Sequence, residues 1–266
     1  MEPSKPMAEE FKETPPPEPA QRNQAASLPR TQAEIEAAQA RYNATPSPVV
    51  EDNPDPLSPV YARTDIDETP GTVLHFWFGY AAERPGLIAE REAMWFRNSF
   101  DTDRAIAHRF ADLVAKLASG EARRWAKAGT RERLAAVIAL DQFSRNIFRN
   151  EAGAFENDAL ALELAKEGLS AGEDMNLRPI ERWFLYMPLE HSESASDQRR
   201  SVEKFEALLA EAPPEARDIF ESALDYAKRH AAIIRRFGRF PHRNAILKRT
   251  STSAERIFLS KPGSSF

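Results

Sequence analysis

The stretch "PEARDIFESALDYAKRHAAIIRRFG", residues 214–238, decides the fold class. Ile219, Phe220, Ala223, Leu224, Tyr226, Ala227, Ala231, Ile233, Ile234 and Phe237 recur at helical spacing and share one face, while the charged residues take the other. Two-residue alternation is missing, so a strand would leave half of those apolar groups in water. Gly238 can adopt the left-handed conformation that ends a helix. The spacing predicts one amphipathic helix over 214–237.

The same period runs outward through a segment poor in glycine and rich in Ala, Leu, Glu and Arg. It predicts further helices over 72–78, 83–97, 101–118, 121–128, 130–148, 155–170, 179–191, 195–210 and 253–259. Pro179 suits a first helical position, and Ser194 with Asp197 and Thr252 with Glu255 have capping-box spacing. Short connections favour stacked hairpins. The expected fold class is all-α: an irregular bundle or a helix-hairpin superhelix, with no clean repeat of about 34 residues to demonstrate a tetratricopeptide array.

Residues 1–68 read differently. Thirteen of the twenty prolines fall in the first seventy residues, and large apolar residues are few there. Such a segment cannot bury enough surface to offset the entropy of ordering it, so a disordered tail is expected, with one marginal helix over 31–43. The tail carries thirteen acidic and six basic side chains, net -7, which against the whole-chain -5 leaves the rest at +2. A single all-α domain is expected over 69–266. Cysteine is absent, which removes disulfides and thiolate chemistry. Neither a signal-peptide core nor an apolar run of eighteen residues occurs, so no membrane span and a cytoplasmic location are expected.

Polar residues inside apolar stripes mark the candidate sites. His230 falls in the middle of the apolar face of the 214–237 helix, where an imidazole must find a partner or remain desolvated. It is either a structural histidine bonded to a carbonyl or to Tyr226, or it lines a pocket. In "LAAVIALDQFSRNIFRN", residues 134–150, Asp141 and Arg145 fall in the stripe of Leu134, Val137, Ile138 and Phe148 at i,i+4 spacing. A buried pair of that kind is a structural clamp or holds Arg145 ready for an anion. Gln142, Asn146 and Arg149 fall on the more polar flank. In "ERWFLYMPLEHSES", residues 181–194, Pro188 is expected to kink or end the helix, leaving Glu190, His191, Ser192 and Glu193 at a break. His108 faces away from its stripe and reads as surface; Phe76, Trp77 and Phe78 beside His75 read as core. Residues 227–254 hold eight Lys or Arg, two His and no acid, and include the turn "RFGRFPHRN", residues 236–244.

Five segments in order, "LHFWFG", "LDQFSRNIFR", "FLYMPLEHSE", "HAAIIRRFGRFPHRN" and "STSAERIFL", resemble the bacterial domain of unknown function family numbered 924 across residues 73–259. The resemblance implies a tetratricopeptide-like helical fold and no particular activity. His75 stands where an aspartate usually precedes "FWFG", and Lys248 where a glycine usually precedes Arg249. These departures imply no acidic role at 75 and a local change in the loop at 248.

The leading functional expectation is a pocket for a small anionic molecule or peptide terminus, built from Arg145, Arg149, Arg239, His242 and Arg243 with Asn146 and Asn244 as neutral donors, and Asp141, His191 and His230 beside them. A hydrolase or transferase is the alternative, with His191 or His242 as base and Glu190 or Asp141 orienting it. A helix-hairpin scaffold for a protein partner is the other alternative. No catalytic signature or dinucleotide fingerprint is present, no pair has standard metal-ligand spacing, and no cofactor is expected. A core charge near +2 argues against nucleic acid.

Overall fold

Thr69 and Thr72 close a reciprocal capping box around Pro70, and α1 (Pro70–Phe78) follows in this computed structural model, which describes residues 68–264. After it come α2 (Ile88–Phe96), α3 (Phe100–Lys116), α4 (Ala122–Ala128), α5 (Thr130–Ile138), α6 (Ser144–Ile147), α7 (Asp158–Ser170), α8 (Pro179–His191), α9 (Ala195–Ala210), α10 (Arg217–Phe237) and α11 (Ser253–Leu259). No strand occurs among the described residues, and the fold is all-α. The expected tail and its 31–43 helix lie outside the described residues.

The apolar stripes meet in one main cluster. Phe76 and Trp77 of α1 pack edge-on against Phe143, at 5.9 and 5.5 Å between ring centroids, and Phe78 packs on Phe184 of α8 at 5.5 Å. Aromatic pairs of this geometry add about 0.5–1.5 kcal/mol to their area burial, so α1 is the axle around which α3, α5 and α8 gather. Trp95 of α2 joins them and donates its indole hydrogen to the Trp77 carbonyl at 2.9 Å. Consecutive helices lie side by side: α8 packs on α9, and α9 on α10. Gly238 ends α10 at φ 70°, and Thr252 and Glu255 form the expected capping box at α11.

Four expectations need correction. The 130–148 helix is unbroken to Ile147 but not uniformly α, because Ala139–Phe143 form a π-turn between α5 and α6. The wider turn brings consecutive residues inward together, so Gln142, expected on a solvated flank, is 6% exposed beside Asp141 at 1%. Pro188 does not end its helix: α8 runs through it to His191. The orphan carbonyls at the end of α8 are held from outside, Gln198 Nε2 donating to those of Glu190 at 2.6 Å and Ser192 at 2.7 Å. Ser194 and Asp197 do not form a capping box; Asp197 instead pairs with Lys166 at 2.6 Å and accepts from the Ser192 hydroxyl at 2.8 Å. Tyr226, counted with the apolar face of α10, is exposed at its edge.

Lys248 adopts φ 53°, the left-handed conformation that glycine enters without strain. An L-residue costs about 1–2 kcal/mol there, of which roughly half is offset by the larger chain entropy glycine loses on folding. Lys248→Gly is therefore expected to raise stability by about 0.5 kcal/mol in urea melts. A fall in stability would mean that the lysine side chain contributes more than the backbone relief.

Candidate functional site

The π-turn and the end of α8 place Asp141 and His191 face to face, with Asp141 Oδ1 2.8 Å from His191 Nδ1. Gln142 Nε2 donates to Oδ2 at 2.5 Å, and Arg145 Nη2 lies 3.5 Å from Oδ1. Burial opposes the charge on Asp141, but Arg145, His191 and Gln142 outweigh it and hold the carboxyl well below the usual carboxylate range. An ionised Asp141 fixes the proton of His191 on Nδ1, leaving Nε2 with its lone pair. Burial first, and the charge of Arg145 next, lower the pKa of His191, against the pull of Asp141. The hydrogen bond of His191 runs through Nδ1, Nε2 has no hydrogen-bond partner among the described residues, and the side chain is 12% exposed.

Two guanidiniums share one carboxylate beside this pair. Asp158, in the first turn of α7, accepts Arg145 Nη1 at 2.7 Å and Nη2 at 3.2 Å, and Arg243 Nη1 at 3.2 Å. Arg145 also donates to the carbonyls of Asp141 and Ala154, both at 3.1 Å. Arg243, from the short 3₁₀ turn Pro241–Arg243, is 7% exposed and lies over the rings of Phe155 at 4.6 Å and Phe240 at 4.7 Å. Its Nε is buried with no hydrogen-bond partner among the described residues. Burial, then Arg145, push its pKa down to about 10, so it stays protonated at neutral pH.

A second acid–imidazole pair lies behind the first. Glu190 Oε1 is 3.1 Å from His230 Nδ1, which also lies 2.9 Å from the Tyr226 carbonyl. Burial, then the negative charge of Asp141, push Glu190 up to about 8, so it is mainly an uncharged acid at neutral pH. Burial brings His230 down to about 3 and, reinforced by Arg243, His242 down to about 4; both imidazoles are neutral. Phe240 sits 5.4 Å from the His230 ring and 5.6 Å from that of His242. Asp141, Asp158, Arg145 and Arg243 carry two charges of each sign, and the carboxyl and imidazoles around them are largely uncharged.

The structure thus brings Asp141, Arg145, Glu190, His191, His230, His242 and Arg243 together. The other expected residues are engaged elsewhere. Arg149 forks onto Asp103 of α3 at 2.5 and 2.7 Å, and Asn146 donates to the same carboxylate at 2.8 Å. Arg239 forks onto Glu255 at 2.6 and 2.8 Å. Asn244 donates to Ser251 Oγ at 3.1 Å and accepts from Arg249, whose guanidinium grips Glu193 at 2.7 and 3.0 Å. Glu193 in turn accepts the Phe240 backbone N–H at 2.8 Å. Arg239, Arg243 and Arg249 of the crowded stretch 227–254 therefore find acids supplied by other parts of the chain. Asp158 and Phe155 escaped the sequence reading. An acid in a helix's first turn reads as a complement to the dipole, and nothing local ties Asp158 to an arginine 85 residues away. Among the described residues no three His, Asp or Glu side chains form a group able to hold a metal ion.

Taken together, the fold and this cluster define an all-helical protein with a buried, charge-balanced Asp/His/Arg network at the junction of α6, α7, α8 and the turn after α10. The chain belongs to the family described as bacterial protein of unknown function (DUF924), whose model matches residues 73–263. It is 31% identical to a protein of unknown function from Agrobacterium tumefaciens, whose solved structure aligns with a TM-score of 0.60 over 72% of this chain and 96% of that one. No curated protein matches it. No helix among the described residues is long and apolar enough to cross a membrane.

Proposed function

We propose that this protein binds a small molecule through its carboxylate or phosphate group, on the Nε edge of Arg243 beside the His191 imidazole. The observation that carries the reading is the buried Nε of Arg243 with no partner among the described residues. Leaving a buried donor unsatisfied costs about 1–3 kcal/mol, and more for a charged group, so a ligand that accepts from it regains that energy. The Phe155 and Phe240 rings hold the guanidinium plane, so little rotamer freedom is lost when an anion docks. Phe240 is fully buried and Phe155 partly exposed, which makes Phe155 the side chain a ligand passes. Arg149 and Arg239 belong less to this reading, since carboxylates already fill their forks.

Thermal melts of wild type and Arg243→Lys, in phosphate, sulfate, acetate and adipate, test it. Phosphate and sulfate stabilise proteins generally, so the difference between the two proteins is the readout. Lysine keeps the charge but loses the planar edge. At a hundred times Kd a bound anion adds about 2.7 kcal/mol, roughly 5–10 °C for a domain of this size. Equal responses of the two proteins to every anion would overturn the reading.

A further inference from the structure

We infer that the site is also hydrolytic: His191 Nε2 acts as general base toward a water molecule, and the substrate is an ester that carries a second, carboxylate group held by Arg243. The substrate class rests on the anion-binding reading; the base does not. A buried aspartate accepting from Nδ1 is the arrangement that fixes an imidazole's tautomer, aims its other nitrogen and stabilises the imidazolium once formed. Asp141 meets each requirement, being itself fixed by Gln142 and Arg145. Nε2 is the nitrogen that Asp141 leaves open, on a side chain 12% exposed.

Water is the nucleophile because no side-chain hydroxyl among the described residues bonds to Nε2. The nearest serine in sequence, Ser192, turns its hydroxyl to Asp197 at 2.8 Å. Nε2 takes a proton from water as the water oxygen bonds to the ester carbon, and the carbonyl electron pair moves onto its oxygen. The resulting oxyanion lies in the field of Arg145 and Arg243, and the imidazolium stays paired with Asp141. When the carbonyl re-forms, the bond to the alcohol oxygen breaks and the imidazolium returns its proton to that oxygen. One ester and one water give one acid and one alcohol, with His191 restored.

The test uses the full chain and two chromogenic esters: neutral p-nitrophenyl acetate, and the mono-p-nitrophenyl ester of adipic acid, which keeps a free carboxylate. Wild type is expected to hydrolyse the adipate ester at least a hundredfold faster than His191→Gln, with kcat/KM at least tenfold above that for the acetate ester. If wild type and a folded His191→Gln release nitrophenolate equally from both esters while adipate still raises the melting temperature, the hydrolytic inference is overturned and the anion reading stands. Turnover that needs His191 but shows no preference for the anionic ester overturns the substrate class and leaves the base. Should His191→Gln fail to fold, wild type treated with diethyl pyrocarbonate replaces it. Loss of hydrolysis on ethoxyformylation of His191, reversed by hydroxylamine, is then the expected result; undiminished hydrolysis with His191 modified overturns the inference.

Discussion

Asp141→Ala is expected to lower the free energy of unfolding by about 3 kcal/mol, the low end of the usual cost of removing one partner from a buried ion pair. The carboxylate is 1% exposed and serves three neighbours at once, the Gln142 amide, the His191 ring and the Arg145 guanidinium. Alanine leaves all three facing a cavity, although Arg145 keeps Asp158 at 2.7 Å, which sets the loss below that of stranding a lone cation. A typical domain has only about 5–15 kcal/mol to lose, so the variant will be marginal at 37 °C. Asp141→Asn is expected to cost less, because the amide keeps the shape and one acceptor for His191 Nδ1 while losing the attraction to Arg145. Urea denaturation checks both: the midpoint should fall with an unchanged m-value, and more for alanine than for asparagine. Losses under about 1 kcal/mol in both variants would mean that Asp141 is not the hub of the network.

The fold was legible because it rests on period alone. The stripe over 214–237 buries Phe220, Ala223, Leu224, Ala227, Ile233 and Ile234 of the residues its spacing selects, and Phe76, Trp77 and Phe78 are the core that their size suggests. The part of the candidate cluster carried by Asp141, Arg145 and His230 was legible for the complementary reason, that a polar group in an apolar stripe is visible in one helix at a time, whereas His191 was singled out for a helix break at Pro188 that does not occur. What failed lay where a local rule met a non-local partner. A wheel drawn at 3.6 residues per turn cannot show the π-turn that carries Gln142 inward with Asp141. The proline rule at 188 marks one missing donor and not a helix end: α8 continues to His191, and Gln198 of the next helix holds its terminal carbonyls. Arginines 149, 239 and 243 look alike in sequence. Their acids stand 46, 16 and 85 residues away, and only that separates two filled forks from one with an open edge.

Glu190→Gln is expected to flatten the stability of the protein above pH 6.5. Free glutamate ionises near pH 4.5, but burial and the charge of Asp141 raise Glu190 to about 8 in the native state. Below pH 4.5 both states hold the proton and no penalty exists. From 4.5 to 8 the unfolded chain releases it and the native protein does not, so stability falls by about 1.4 kcal/mol per pH unit. His230 has the opposite sign. Its native pKa of about 3 lies below the free value of 6.5, so over that interval the unfolded chain gains a proton that the native state refuses, and stability falls as pH drops. From 4.5 to 6.5 the slopes of Glu190 and His230 cancel, His242, brought down to about 4, adds a further slope of the His230 sign, and above 6.5 Glu190 acts unopposed. Wild type is therefore expected to lose about 2 kcal/mol between pH 6.5 and 8 relative to Glu190→Gln, whose amide oxygen can still accept from His230 Nδ1. Urea melts of both proteins at pH 6, 7, 8 and 9 decide it, since parallel curves would mean that Glu190 is already ionised in the native state. The origin of the shift also fixes a second comparison. Part of it comes from Asp141, so in an Asp141→Asn background the effect of adding Glu190→Gln must shrink; the two buried carboxyls compete for a single negative charge, and Asp141 keeps it because Arg145, His191 and Gln142 face that one alone.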